Sequence, residues 1–300
     1  MKRWLKRTAL MLAAIELIYV VVINLALNLP ATQTLLNQIK PEKFAIYWHS
    51  AWSFYPFRVN VRGISANGQI PSQQWQVDAS AASGTISILP LIARTVKIRN
   101  LEVKDVVYHQ RPRPKPEKDY ADVRQFFPVI KDREPEEVYD SAAKMPKSKG
   151  KRWKINCYDA HAQGNHRIWI YQVQGVFAGD VYADVAAQTR RGPFALPDGK
   201  FEVVLKSLLV NGNPAITKQG HLKGTIAISP FVLSENRGIK SLAFITLDTD
   251  IRSETSSLSF LNFYLSRFNG MKVDGAGKLE GHLQLEKAKL QPGSRLSASA

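Results

Sequence analysis

The chain has a single cysteine, Cys157, in 300 residues. One thiol excludes an intrachain disulfide framework and any cysteine-rich zinc site. Acid is scarce beside base: 25 Asp and Glu against 41 Lys and Arg give a formal net charge of +16. Such an excess points to a polyanionic partner, either nucleic acid or an anionic membrane. Gly175, Gly179, Gly192 and Gly199 lack the spacing of a phosphate-cradling loop. The serines of residues 253–259 have no G-x-S-x-G elbow. Basic residues are not interleaved with aromatics on one strand face, as single-stranded nucleic acid requires, so no nucleic-acid partner is expected.

What is present begins at the N-terminus. Lys2, Arg3, Lys6 and Arg7 precede an apolar run over residues 8–29, closed by Pro30. About twenty helical residues cross a bilayer core of about 30 Å, so this run is long enough to span. It is longer than the apolar region of a cleavable signal, and no good Ala-x-Ala site follows, which favours an uncleaved signal-anchor. Lys2, Arg3, Lys6 and Arg7 are then topogenic. Residues 1–7 are expected in the cytoplasm, 8–30 in the membrane and the bulk outside the cytoplasm, which in a bacterium is the periplasm. Glu16 is the odd residue of the span, either a contact for a partner helix or a tolerated single acid.

Beyond residue 44 the chain reads as β-structure. Short runs with β-branched residues recur between Gly, Asn and Pro, at 58–62, 75–80, 84–89, 95–99 and 101–108. A second β region, 153–300, holds runs at 154–158, 167–172, 175–182, 200–210, 221–229, 240–252 and 277–286. In 221–229, Leu222, Ile226 and Ile228 share one face and His221, Lys223, Thr225 and Ser229 the other, the pattern of a sheet with one wet side. Residues 257–268 carry Leu258, Leu261, Leu265 and Phe268 at helical spacing and predict one short amphipathic helix. Between the β regions, 111–152 reads as an exposed, partly disordered insertion. It has alternate prolines up to Pro116, an acidic stretch and then a lysine-rich one. The last residues still look like strand, which suggests that the chain is the first part of a longer protein.

These residues resemble a family. WHSAWSFYPFRVNVRG (48–63) looks like the opening of AsmA-like proteins, which include the TamB-type proteins of Gram-negative bacteria. LEVKDVVY (101–108) followed by RPRP (111–114), GAGKLEG (275–281) and LQPGS (290–294) are similar to further strands and turns of that family. The resemblance implies a mainly β fold: an elongated, twisted antiparallel sheet forming a groove, anchored in the inner membrane. It also implies a role in cell-envelope maintenance and outer-membrane biogenesis, with phospholipid bound or conveyed along the apolar sheet face. No catalytic residue carries over.

Two further constellations could carry chemistry. His161 and His166 beside Asp159 fit no zinc spacing and read as turn residues. Asp248 and Asp250 share a strand face and read as a solvated edge. No enzyme, cofactor or metal site is expected. The basic stretches yield possible contacts to anionic head groups at Arg111, Arg113, Lys115, Lys147, Lys149, Lys151, Arg152 and Trp153. The alternative function is an anchored scaffold that docks an envelope partner through residues 111–154.

Overall fold

In the computed structural model, the residues described are 2–39, 41, 43–70, 73–113, 121–133, 151–189, 192–216, 220–232, 241, 243–255, 274–287 and 289–299. The helix expected over 257–268 lies outside them. Helix α1 (Lys2–Asn28) carries the apolar run, and its segment Arg3–Asn28 is long and apolar enough to cross a membrane. Pro30 opens helix α2 (Pro30–Gln38), where its missing N–H is harmless.

The rest is one large sheet. Its strands are β1 (Phe44–Tyr47), β2 (Ser50–Trp52), β3 (Arg58–Ile70), β4 (Gln73–Ser87), β5 (Thr95–Lys104), β6 (Val107–Pro112), β7 (Lys154–Ile170) and β8 (Val173–Gln188). They continue with β9 (Phe194–Val210), β10 (Asn213–Ile216), β11 (Gly220–Phe231), β12 (Ile245–Thr255), β13 (Gly277–Glu286), β14 (Lys289–Leu290) and β15 (Arg295–Ser299). Two one-turn helices, α3 (Leu89–Ile92) and α4 (Ala121–Arg124), lie in connections. The sheet order β1-β3-β4-β5-β7-β8-β9-β11-β12-β13-β14 follows the chain, a meander with little crossover.

The strands are longer than the short runs of the sequence suggest. Residues 75–80 and 84–89 belong largely to one strand, β4, and 154–158 and 167–172 to another, β7. The pairing is antiparallel except where β5 and β6 run parallel to β7. The cause is the insertion. β6 ends at one end of the sheet, and residues 113–153 carry the chain back to the other end before β7 starts. The two β regions therefore pair directly with each other, Thr95 opposite Lys154 and Val103 opposite Ala162.

The first edge of this sheet is covered by side chains of the two N-terminal helices. Asn24 donates from Nδ2 to the Ser53 carbonyl (2.8 Å) and accepts from the Ser53 amide (2.9 Å). Asn28 does the same with Ala51, at 2.7 and 3.2 Å, and Asn37 with Ile46, at 3.0 and 2.8 Å. Each carboxamide presents one donor and one acceptor, as a neighbouring strand's peptide would. Trp48 Nε1 also donates to the Leu27 carbonyl (2.9 Å). An open edge invites pairing with another chain, and these residues blunt it. Replacing Asn24 with Leu removes the clamp from both Ser53 backbone groups. We predict a local loss of about 1–3 kcal/mol, read as faster amide exchange at Ser53; unchanged exchange would contradict the clamp.

Candidate functional site

Cross-strand register decides which residues share a face, because partners point the same way. Starting in β3, Val61 stands opposite Ala82, Ala82 opposite Val103, and Val103 opposite Ala162. The row continues through Val181, Phe201, Gly224 and Thr249 to Leu283 in β13. Thr249 alone in this row is polar, and its hydroxyl donates to the Lys223 carbonyl (3.2 Å). A second row runs Gly179, Val203, Leu222, Ile251, Gly281, Leu296 and has no polar side chain. One position along, the opposite face reads Gln163, Asp180, Glu202, Lys223, Asp250, His282, Arg295. One face is thus apolar strand after strand, and the other is charged strand after strand.

Nothing among the described residues covers the apolar face fully. Val103, Val181, Phe201, Val203, Leu222 and Ile251 are half-buried, and Leu296 is 49% exposed. The fully shielded large apolar side chains of the described residues are Ile130, Phe231 and Leu279. A closed sandwich would hide such residues by the dozen, since both inner faces interdigitate. The second row, with neighbours that include Glu202, Lys223, Asp250 and Arg252, lines a trough of about 1100 Å³. That exceeds the roughly 300–1,000 Å³ of ordinary small-molecule pockets.

The trough owes its curvature to glycine. A Cβ on Gly224 would run into the Asp248 carbonyl oxygen, and one on Gly281 into the Arg295 carbonyl oxygen. At both points the next strand's backbone folds in over the apolar face. Side chains there would hold the strands apart and flatten the sheet.

The charged face is tied by short cross-strand contacts. Lys223 pairs with Glu202 at 2.9 Å, both well exposed. His161 lies between Glu102 (2.9 Å from Nδ1) and Asp180 (2.7 Å from Nε2) and stacks on Tyr182 with ring centroids 4.2 Å apart. His282 contacts Asp250 (3.0 Å) and Asp248 (3.5 Å). These placements correct two expectations. His161 and His166 are not in a turn but inside β7, because a bulge at residues 158–159 lets the strand continue past a turn-like sequence. His166 is buried, takes the Val106 amide on Nδ1 (3.2 Å) and reaches the Gly179 carbonyl from Nε2 (3.3 Å). Asp248 and Asp250 do lie on the wet face, yet in an interior strand rather than an edge, since β12 is flanked by β11 and β13. No group of three or more His, Cys, Asp or Glu among the described residues could hold a metal ion. Burial raises the Cys157 thiol's pKa, which disfavours the reactive thiolate.

The basic candidates separate. Arg111 is a correction: it is 4% exposed and faces neither water nor lipid. Its guanidinium donates to Gln74 Oε1 (2.8 Å), the Pro128 carbonyl (3.4 Å) and the Arg133 carbonyl (2.6 Å), which pins residues 123–133 across the sheet. A planar fork of five donors suits that task better than a flexible ammonium would. In this strap the Lys131 amide donates to Gln76 Oε1 (2.8 Å), and the Phe126 carbonyl accepts from Trp169 Nε1 (2.9 Å). None of residues 121–133 lines the trough, so the strap leaves it open. Arg113 is half-buried beside it. Lys151, Arg152 and Trp153 are exposed at the entry to β7. Lys115, Lys147 and Lys149 lie outside the described residues. Lys2, Arg3, Lys6 and Arg7 all fall in the first two turns of α1.

The sequence patterning finds the alternation within single strands but not the rows. The rows need the register, which no local pattern carries. No protein-family model matches this chain, and no curated protein matches it.

Two outcomes follow. Gly224→Val should destabilise the sheet by about 1–3 kcal/mol, as overpacked sites do, measured by urea unfolding of the full chain; a neutral effect would remove glycine from the cause of curvature. Under the strap, His109 is half-buried with both ring nitrogens shielded from water, and that desolvation lowers its pKa. The unfolded chain therefore takes up the proton first as pH falls below the ordinary value of about 6.5, and stability drops with it. The melting temperature should fall less between pH 7.5 and 5.5 in His109→Phe than in wild type, and equal falls would contradict this.

Proposed function

We propose that this is a membrane-anchored envelope protein whose apolar sheet face holds the acyl chains of phospholipid. The observation that carries the reading is the apolar register across the sheet, broken in its first row only by Thr249, half-exposed and backed by a charged face. A single sheet with that asymmetry leaves apolar area in water unless something apolar lies on it. An acyl chain along the trough would gain about 0.8 kcal/mol per methylene removed from water. Its head group would stay at the wet margin. The resemblance of residues 48–63, 101–108, 275–281 and 290–294 to AsmA-like proteins points the same way, towards an inner-membrane anchor with the sheet in the periplasm and a part in moving phospholipid between membranes.

Site-specific photo-crosslinking tests this with both faces as each other's control. A benzophenone side chain at Leu222 or Ile251 of the full chain, expressed in cells, should capture phospholipid. The same group at Thr225 or Asp248, on the other face and outside the trough lining, should not. Equal labelling at all four positions, or none at Leu222 and Ile251, would overturn the proposal.

A further inference from the structure

One end of the sheet carries apolar side chains that the lipid trough does not use. Residues 53–57 turn between β2 and β3, and residues 88–94 turn between β4 and β5. The Ile86 amide donates to the Phe57 carbonyl (2.9 Å), so the two turns adjoin. Phe54, Tyr55 and Phe57 are 59, 72 and 45% exposed, and Leu89 and Ile92 are 80 and 84% exposed. No described residue covers them.

Phe57 is the most telling. The Arg58 amide donates to the Tyr55 carbonyl (3.1 Å), which closes a turn with Pro56 first and Phe57 second of its central residues. Phe57 has φ +70° there, the position that a type II turn reserves for glycine. A bulky residue at positive φ is strained, and here the ring is not used to fill a core.

Helix α1 helps hold this turn. Tyr19 Oη lies 2.8 Å from Ser53 Oγ and accepts the Phe57 amide at 3.2 Å. Tyr19 stands eleven residues beyond Thr8, so it sits about 16 Å into a run about 33 Å long. With Asn24 and Asn28 clamped to Ser53 and Ala51, the second half of the span is fixed alongside the sheet's first edge. When α1 crosses a bilayer of about 30 Å, the turn at 53–57 is held below the head groups rather than above them.

The flanks complete the pattern. Arg58 and Arg94 follow the two apolar turns, and the Lys154 amide donates to the Arg94 carbonyl (2.9 Å), which brings exposed Lys151, Arg152 and Trp153 to the same end. Apolar tips backed by basic residues and an interfacial tryptophan fit an anionic leaflet.

We infer that residues 54–57 and 88–92 form a rim that inserts into the leaflet at the C-terminal end of α1, with the long side chains of Arg58, Arg94, Lys151 and Arg152 snorkelling from its flanks toward anionic head groups. The end of the sheet is thus seated in the bilayer instead of hanging above it on a tether. The inference rests on α1 spanning the membrane and does not require lipid in the trough.

The test uses the full chain with Cys157→Ala, reconstituted in nanodiscs of phosphatidylethanolamine and phosphatidylglycerol, with one nitroxide label at a time. Leu89→Cys and Phe54→Cys report the rim, Leu12→Cys reports the span, and Val129→Cys, on the strap at 78% exposure, reports water. Accessibility to oxygen over a water-soluble nickel complex should be severalfold higher at 89 and 54 than at 129, and close to that at 12. Ile92→Cys repeats the reading should Leu89→Cys fail to fold. Nickel access at 89 and 54 equal to that at 129 overturns the rim, as does shielding from both reagents, which would mark a protein contact instead. Nickel access at 12 overturns the span and the rim together.

Discussion

Everything in this molecule depends on the register of its hydrogen-bonded ladder. Side chains alternate with a period of two, so a slip of one residue in any pair would move that strand's apolar set to the charged face. The ladder holds its phase from β3 to β13 even where the sequence does not. In β5 the partners of Ser83 and Thr85 are Glu102 and Arg99, and in β7 the partners of Val185 and Ala183 are Cys157 and Ala160. Each step takes three residues against two. Asn100 and Asp159, at φ +49° and +53°, absorb the extra residue. These are residue types that tolerate positive φ, and the bulges they make restore the apolar face beyond them.

A long single sheet has two weaknesses, its edges and its second face. The N-terminal helices answer the first with three asparagines that imitate a strand. The strap answers the second in part, with Arg111 beneath it and Asn67, Gln74 and Gln76 buried among polar partners. The apolar residues that line the trough are answered by neither. In a folded chain this is the costly surface to leave in water, and its persistence across the strands is the reason for reading it as functional.

The span is legible in the sequence because some twenty apolar residues in a row, with basic residues ahead of them, are the pattern a bilayer demands. The alternation of 221–229 is legible because no bulge interrupts its first half and each residue type is strongly partitioned. Strand β7 is not legible: Tyr158, Asp159 and Gly164 look like a turn, and only tertiary pairing with β5 and β8 on either side keeps the chain extended there. Arg111 misleads for a related reason. Its proline-rich surroundings promise exposure, whereas its role depends on carbonyls at Pro128 and Arg133 that lie far along the chain. Asn24 and Asn28 stand in plain view as polar residues late in an apolar helix, and their partners at Ser53 and Ala51 emerge only with the fold.

The net charge of +16 also changes meaning. On the charged face, base is largely matched by acid across strands, as with Lys223 and Glu202. Among the described residues, base without a matching acid gathers instead at the start of α1 and at the end of the sheet near Arg58 and Lys154. Both places suit a membrane surface better than a polynucleotide. The central claim is that the apolar face is occupied by lipid, and counting that lipid tests it most directly. Phospholipid bound per full-length chain, extracted without detergent exchange and quantified by mass spectrometry, should be stoichiometric in wild type and sharply reduced in the Leu222→Asp, Ile251→Asp double variant. Equal phospholipid in the two, or only traces in wild type, would contradict the claim.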